Sequence, residues 1–436
     1  MNIRKIALKL LSEHEANGTF ANLALQNHLT DALSQEEKAS LTALFYTTVE
    51  RKLTLDYMIG ALSKRSLDSV EPQTKNLLRI GLCQVMYMTN IPSFAAVNET
   101  VKLARHEGER RFVNFVLREA VRRGNDLPYP DRSKNVARYF SIFYCCPLWI
   151  VKELIALLGE GGAEEYLRCI NQEPPLTVAV NTTKISREEY IALLEKEGIA
   201  LTPCPLSDVA LRIEGKHRPT SLTGFAEGLF FVQDEASSLV SQILAPEGGD
   251  TVIDVCACPG GKSFSTAIRM QNKGRVYAFD LHESKLSLIE KGAERLSLSC
   301  LTVEQCDGTL GREELFGLAD GVVCDVPCSG LGVMAKKPDL RYKSEESVND
   351  LPELGLHILS TSSSYLKVGG TLIFSTCTIR PEENEAVLER FLLQHPEFSL
   401  VPFAVGERDC PDGKLRLYPH TDTTDGFFIA KLRKNT

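Results

Sequence analysis

Two cysteines and one glycine turn are the residues through which this chain can do chemistry. Cys328 lies in Asp325-Val326-Pro327-Cys328-Ser329-Gly330, and Cys377 lies in Phe374-Ser375-Thr376-Cys377-Thr378. Each follows a short apolar run of the kind that forms a buried strand. The turn is the middle of Thr251-Val252-Ile253-Asp254-Val255-Cys256-Ala257-Cys258-Pro259-Gly260-Gly261-Lys262-Ser263. An apolar run leads into Gly260 and Gly261, and a helix start follows. The glycines let backbone approach a ligand that a Cβ would exclude. The helix N-terminus points free N–H groups at that ligand. Ligands in open α/β sheets gather at the carboxyl ends of the strands. Both thiols, Asp325 and the turn are therefore expected around one crevice.

Three cofactor classes fit such a turn. A dinucleotide fingerprint, G-x-G-x-x-G, is absent. A P-loop ends as Gly261-Lys262-Ser263 does, but Cys256 stands where its first glycine belongs. S-adenosylmethionine (SAM) needs a carboxylate for its ribose diol at the end of the next strand. Arg275-Val276-Tyr277-Ala278-Phe279-Asp280 reads as that strand, and Asp280 ends it. The other reading of this stretch is a glycine-bearing turn in an unrelated α/β protein.

A thiol beside SAM suits one difficult reaction. A heteroatom attacks the sulfonium with its own lone pair and needs no thiol. Carbon 5 of a pyrimidine is a poor nucleophile, and a thiolate adding at carbon 6 makes it enamine-like. That is covalent catalysis, one hard step divided in two. Asp325 suits the N3 and amino edge of a cytosine. The residues alone leave the two thiols unranked.

The elements that must position these residues follow from the rest of the chain. Its 436 residues suggest two to four domains, and 43% hydrophobic with 24% charged content is ordinary globular composition. Thirteen cysteines without a C-x-x-C pair argue against a disulfide framework or a zinc module and fit a reducing cytoplasm. No metal is expected. No apolar run is long enough to span a bilayer, and no membrane association is expected. The net charge of −8 is uneven: residues 1–150 carry 20 basic and 15 acidic residues, the remainder 29 and 42. The acidic total argues against sequence-independent clamping on nucleic acid by bulk charge but leaves room for a local basic face.

Residues 1–125 read as helical, from Leu78, Leu82, Val85 and Met86 and from Val97, Val101 and Ala104. Arg105, His106, Arg110, Arg111, Arg118, Arg122 and Arg123 form a basic cluster there, either a solvated helix face or a phosphate-binding one. Pro128, Pro130 and Pro147 mark 126–148 as a connection. A small α+β segment follows, with strands at 176–181 and 210–213 and a helix at 186–197 capped by Ser186. From Phe231 strands and helices alternate. The strands expected are 252–256, 275–279, 301–305, 321–326 and 371–375. Helices are expected after Gly261 and across 283–295, 351–366 and 382–394. The pattern predicts a parallel sheet with crossover helices, and 426–431 is expected as an antiparallel edge strand. The domains drawn from this are 1–140, 141–230 and 231–436.

Two families match these residues. The front resembles the NusB family of RNA-binding helical domains, through Phe45-Tyr46 with Leu55-Asp56, Leu77-Leu78-Arg79-Ile80-Gly81, Ile91-Pro92 with Ala95-Ala96-Val97-Asn98-Glu99, and Phe112 to Arg118. That resemblance favours RNA at the arginine cluster. The catalytic half resembles the NOL1/NOP2/Sun family of RNA cytosine-5 methyltransferases, through Gln233-Asp234-Glu235-Ala236-Ser237, Cys256 to Ser263, Asp325 to Gly330, Ser375-Thr376-Cys377-Thr378 and Asp425-Gly426-Phe427-Phe428. The fold this implies is multidomain: an all-α NusB-like domain, a small α+β segment, then an α/β class I SAM-dependent methyltransferase domain, Rossmann-like. The middle segment is implied to face RNA, with a structural spacer as the alternative.

Roles follow from the resemblance residue by residue. It implies that Cys377 is the nucleophile and that Cys328 assists release, with Asp325 and Lys262 also catalytic. Cys256, Ala257, Cys258, Pro259, Gly260, Gly261, Lys262, Asp280, Asp307 and Asp325 match SAM-site positions. The family often has alanine where this chain has Cys258, which reads as a packing substitute. The implied substrate is a cytosine of 16S ribosomal RNA, at position 967, and the implied state is a cytoplasmic monomer. Two rivals differ in class. An amino-group methyltransferase tends to show Asp-Pro-Pro-Tyr where this chain has Asp325-Val326-Pro327-Cys328. An RNA-binding or antitermination factor would use only the NusB-like part and would not need both thiols.

Overall fold

A computed structural model of the chain describes residues 2–17, 25, 28–30 and 32–436. It divides into two compact units, Met1–Asn171 with Lys337–Lys343 and Gln172–Lys336 with Ser344–Thr436.

The first unit is helical. Its helices are α1 (Ile3–Asn17), α2 (Gln35–Glu50), α3 (Lys52–Ser63), α4 (Pro72–Tyr87), α5 (Ser93–Val101), α6 (Glu107–Arg123), α7 (Val136–Phe143) and α8 (Leu148–Cys169). Ser34 and Glu37 form a capping box at the start of α2, and Pro72 opens α4 where its missing N–H costs nothing. Buried Arg79 donates to both carboxylate oxygens of Asp56, at 2.5 and 2.8 Å, and to Glu15 at 2.7 Å. Two of the NusB-like sequence blocks therefore meet in a buried, fully paired guanidinium.

The basic cluster divides. Arg105 bonds buried Glu109 and also Glu71, and the His106 ring caps α6 by accepting from the Glu109 N–H. These two are structural. Arg110, Arg111, Arg118 and Arg122 are exposed on α6, and among the described residues they bond to neighbours within it, Glu107, Asn114 and Glu119. Residues 126–148 are not a plain connection. Asn135 caps α7 inside them, so the prolines there bracket a helix instead of excluding one.

The second unit begins with a four-stranded antiparallel sheet, β1 (Leu176–Val180), β2 (Leu201–Pro203), β3 (Ala210–Ile213) and β4 (Phe230–Val232), in the order β2-β3-β1-β4. Helix α9 (Arg187–Lys196) starts on a Ser186 capping box.

The large sheet follows. Its strands are β5 (Thr251–Asp254), β6 (Arg275–Asp280), β7 (Leu301–Gln305), β8 (Ala319–Asp325) and β9 (Leu366–Thr376), which run parallel in the order β7-β6-β5-β8-β9. Helices α10 (Glu235–Leu244), α11 (Gly261–Arg269) and α12 (Glu283–Leu296) bury one face through Leu239, Val240, Ala267 and Ile289, against Val252, Val323 and Ile373. Helices α13 (Leu351–Ser363) and α14 (Glu385–Gln394) bury the other through Leu359, Leu388 and Phe391, against Ile253, Val322, Leu372 and Phe374. Successive residues of one strand thus serve opposite faces, and the inner strands β5, β8 and β9 carry buried apolar residues on both, whereas β7 at the edge is half-buried.

The antiparallel strand expected at 426–431 is present, but it lies inside the sheet and not at its edge. Beyond β10 (Phe398–Leu400) and the hairpin β11 (Phe403–Val405) with β12 (Arg408–Cys410), β13 (Lys414–Leu417) leads to β14 (Phe427–Lys434). Strand β14 pairs antiparallel with β9 on one side and with β10 and β13 on the other. Its apolar Phe427-Phe428-Ile429-Ala430 run is buried because short strands cover the edge it would otherwise form.

Candidate active site

The chain leaves β5 for β6 and β7 on one side and returns to β8 and β9 on the other. The crevice at the carboxyl ends of β5 and β8 is therefore the switch point of the sheet, where ligands bind.

The cofactor side of this crevice is the turn between β5 and α11. Gly260 has φ 110°, which only glycine takes without strain. A Cβ there would also stand 2.4 Å from the Phe264 ring. Asp280, ending β6, accepts from the N–H of Cys258 at 3.3 Å and of His282 at 3.0 Å, and so ties the turn to the next strand. Asp307, just past β7, accepts from the Thr309 N–H and hydroxyl, and those bonds hold its carboxyl below the usual range.

Asp254 is the residue that the sequence reading passed over. It is buried at the end of β5 and accepts from the Ser263 hydroxyl at 2.6 Å, while its Oδ1 is buried without a hydrogen-bond partner. Burial pushes its carboxyl up to about 6, against the Ser263 bond. A buried acceptor with spare capacity under a glycine turn can take a cationic or N–H donor from a ligand. The only signal in the sequence is an acidic residue closing an apolar run. SAM fits this donor set. Its ammonium matches the Asp254 acceptor, its diol matches Asp280, and its body needs the glycine turn.

The thiol side is built from the ends of β8 and β9. Cys328 Sγ and Cys377 Sγ stand 3.3 Å apart. Asp325, closing β8, accepts from Lys262 Nζ at 2.6 Å and from the Ser375 hydroxyl at 2.7 Å. Burial works against the Lys262 charge, but Asp325, then Asp254 and Cys377, hold its ammonium above the ordinary range. Lys262 also lies 5.4 Å from the centre of the Phe427 ring. Cys328 is pushed well above the ordinary thiol range, first by its hydrogen bond with Cys377, then by burial and the charges of Cys377, Glu383 and Asp325.

Backbone locks the two thiol loops. The Gly332 N–H donates to the Cys377 carbonyl at 3.0 Å, and the Gly426 N–H to the Gly332 carbonyl at 2.9 Å. A Cβ on Gly332 would stand 1.9 Å from the Gly426 carbonyl oxygen. Lys336 bridges Asp234 and Asp425, the latter at 2.8 Å, and so joins two of the quoted motifs. No sequence signal marks Lys336.

The structure thus brings Lys262, Asp325, Cys328 and Cys377 together, with Asp280 at the far side of the turn. Asp307 stands at the end of the strand beyond Asp280. Cys256 is a half-buried residue packed against the core, and burial raises its thiol. Ala257 is core, Pro259 is exposed, and the Cys258 thiol faces the Lys285 carbonyl at 3.8 Å, away from the other two. Among the described residues, no cluster of His, Cys, Asp or Glu is arranged to hold a metal ion, and no single helix is long and apolar enough to cross a membrane.

The chain is similar to known proteins along its whole length. Residues 241–433 match the 16S rRNA methyltransferase RsmB/F family, 1–122 the NusB family, and 146–219 the ferredoxin-like domain of RsmF/B-like methyltransferases. A probable ribosomal RNA small subunit methyltransferase B of Bacillus subtilis is 36% identical over 99% of both chains. One from Synechocystis is 33% identical over 100% of both. The crystal structure of PH0851 superposes with a TM-score of 0.81 at 28% identity, covering 99% of this chain and 98% of that one. A NusB domain followed by a Rossmann-like methyltransferase domain, matched to such relatives from end to end, places the chain in the 16S rRNA methyltransferase RsmB/F family.

Proposed function

We propose that this RNA methyltransferase transfers a methyl group from SAM to carbon 5 of a cytosine in 16S ribosomal RNA, the one at position 967, through a covalent bond to Cys377. The observation that carries this is the pair of thiols 3.3 Å apart, beside a Lys262–Asp325 ion pair, at the ends of adjacent strands. An enzyme methylating an amino group has no use for that pair.

The residues divide the work. The Lys262 ammonium favours the thiolate of Cys377, which adds to carbon 6 of the base. The new S–C bond moves an electron pair onto carbon 5. Asp325 faces the N3 and amino edge, where addition requires a proton to be shared. Both its oxygens already accept bonds, so Lys262 and Ser375 hold its orientation while a second lone pair on each stays available. Bound SAM supplies an electrophilic methyl group, held by Asp254, Asp280, Asp307 and the turn from Cys256 to Lys262. The Cys328 thiol gives its proton to the N3 edge as Cys377 adds. The thiolate so formed takes up the carbon-5 proton, the S–C6 bond breaks with its electrons returning to Cys377, and the N3 proton is released to water. The base gains a methyl group and loses one proton. Mapping 5-methylcytosine in 16S RNA from cells with and without the gene tests this. Unchanged methylation at that cytosine overturns the assignment.

Asp280→Ala removes a charged acceptor and unties the turn at Cys258. SAM affinity should fall by about 1.5–3 kcal/mol, roughly tenfold or more in Kd. Calorimetry showing unchanged affinity removes Asp280 from the site.

The same reading makes 1–140 an RNA-binding part, 141–230 a small RNA-facing part and 231–436 the catalytic part of a cytoplasmic monomer. Supporting it, Arg110, Arg111 and Arg118 are exposed. Changing all three to Glu should weaken RNA binding by roughly tenfold or more and flatten its salt slope by about 2, the slope of three single-strand phosphate contacts. SAM affinity should be unchanged. A wild-type salt slope reduces the cluster to a solvated face.

A further inference from the structure

Each thiol is followed by a hydroxyl residue, and the two hydroxyls meet. Ser329 Oγ lies 2.7 Å from Thr378 Oγ1. The Ser329 N–H donates to Glu383 Oε2 at 2.6 Å, and Arg380 Nη1 donates to Glu383 Oε1 at 3.3 Å. Thr378 in turn accepts from the Arg380 N–H at 3.3 Å, and its carbonyl accepts from Asn384 Nδ2 at 3.1 Å. Thr376, before Cys377, donates to Asn384 Oδ1. All of these residues are buried, with Arg380 the most exposed at 9%. The mechanism above uses none of their side chains.

A buried ion pair is poor evidence of stability, because desolvation offsets its attraction. This one sits one residue from each thiol, and it is asymmetric. The carboxylate of Glu383 is bonded to the Cys328 loop, whereas the ammonium that influences Cys377 comes from Lys262 on the other side. We propose that Glu383 is a positioning residue that fixes Cys328 as the proton-carrying member of the thiol pair and leaves Cys377 as the attacking one. Its catalytic meaning rests on the two-thiol mechanism proposed above. Glu383 acts in two ways. It holds the Ser329 N–H, which fixes the turn carrying Cys328 against Cys377. It also places negative charge on the Cys328 side, where a second negative charge is disfavoured. The charge of Glu383 is among the causes that raise the Cys328 thiol.

Alkylation by iodoacetamide, followed by mass spectrometry, reads the thiolate of each cysteine directly. In a Cys377→Ala background, Glu383→Gln keeps the shape and an acceptor for Ser329 but removes the charge. The midpoint pH for Cys328 alkylation should fall by about one unit, which is on the order of tenfold faster labelling below the midpoint. Glu383→Asp keeps the charge and should leave the midpoint near that of the parent. If Gln and Asp shift it alike, or Gln leaves it unmoved, Glu383 is only structural. The unsubstituted protein provides a test that needs no variant to fold: Cys377 should be labelled before Cys328 at pH 7, and the reverse order overturns the proposal. RNA is absent from this assay. Loss of the covalent RNA adduct would remove the two-thiol mechanism without touching the labelling order, and the two failures are distinguishable.

Discussion

Cys328→Ala enzyme mixed with SAM and its RNA should run as a protein–RNA adduct on a denaturing gel, and Cys377→Ala should not. Without Cys328 the attack at carbon 6 and the methyl transfer still proceed. The carbon-5 proton then stays in place, elimination cannot follow, and the Cys377–C6 bond persists. Without Cys377 no bond forms, and methylation should fall on the order of 10⁴-fold or more, as when a covalent nucleophile is removed. The double variant should trap nothing, and the adduct should require SAM. Misfolding cannot imitate this asymmetry, because it would silence both single variants. Two packing cysteines cannot imitate it either, since truncating them leaves nothing to trap. An adduct in Cys377→Ala instead would reverse the roles. Methylation by both variants without any adduct would end the covalent mechanism.

The second large effect is expected at Asp325. Asp325→Asn keeps the shape and the bond from Ser375 but leaves the Lys262 ammonium without its nearest counter-charge at a site where burial already disfavours it. Part of the Lys262 charge is then lost at neutral pH, and with it the field that ionises Cys377. Removing one such preorganised partner costs on the order of 10²–10³-fold in kcat. SAM affinity should change far less. Raising the pH should restore only part of the rate, because it ionises Cys377 directly but does not return the carboxylate that faces the base. Single-turnover methylation within tenfold of wild type, with an unchanged pH profile, would take Asp325 and Lys262 out of the chemistry.

The inner parallel strands β5, β8 and β9 were legible because their apolar runs are buried on both faces. The strand at 301–305 also lies where the residues predict, although at the edge of the sheet it is only half-buried. Strands β10 to β13 are three or four residues long, too short to show alternation, and so β14 reads as an edge when it is interior. The prolines around 126–148 concealed α7 because they flank it. Arg105 and His106 look like members of a basic face, but their partners Glu71, Glu109 and Thr74 decide otherwise, and only folding brings those to them. The same limit applies to the thiols. Cys328 and Cys377 have similar local sequence; Glu383 bonded beside Cys328 and Lys262 acting with Cys377 are neighbours that only tertiary structure supplies. Asp254 was in plain view, but its orphaned oxygen exists only once Ser263 has taken the other one.

The place of β14 bears on how the enzyme comes to exist in the cell. Residues 427–434 form an inner strand, and Gly426 beside them grips the loop of both thiols. During synthesis β9 emerges with that flank open, and Cys377 has no finished loop around it until some fifty further residues have been added. A chain stopped before Gly426 lacks an interior strand as well as part of its site, and it exposes the apolar flank of β9, the kind of unpaired edge that recruits other strands. The nascent chain therefore completes the loops around its two neighbouring thiols only once residues 427–434 have entered the sheet beside β9.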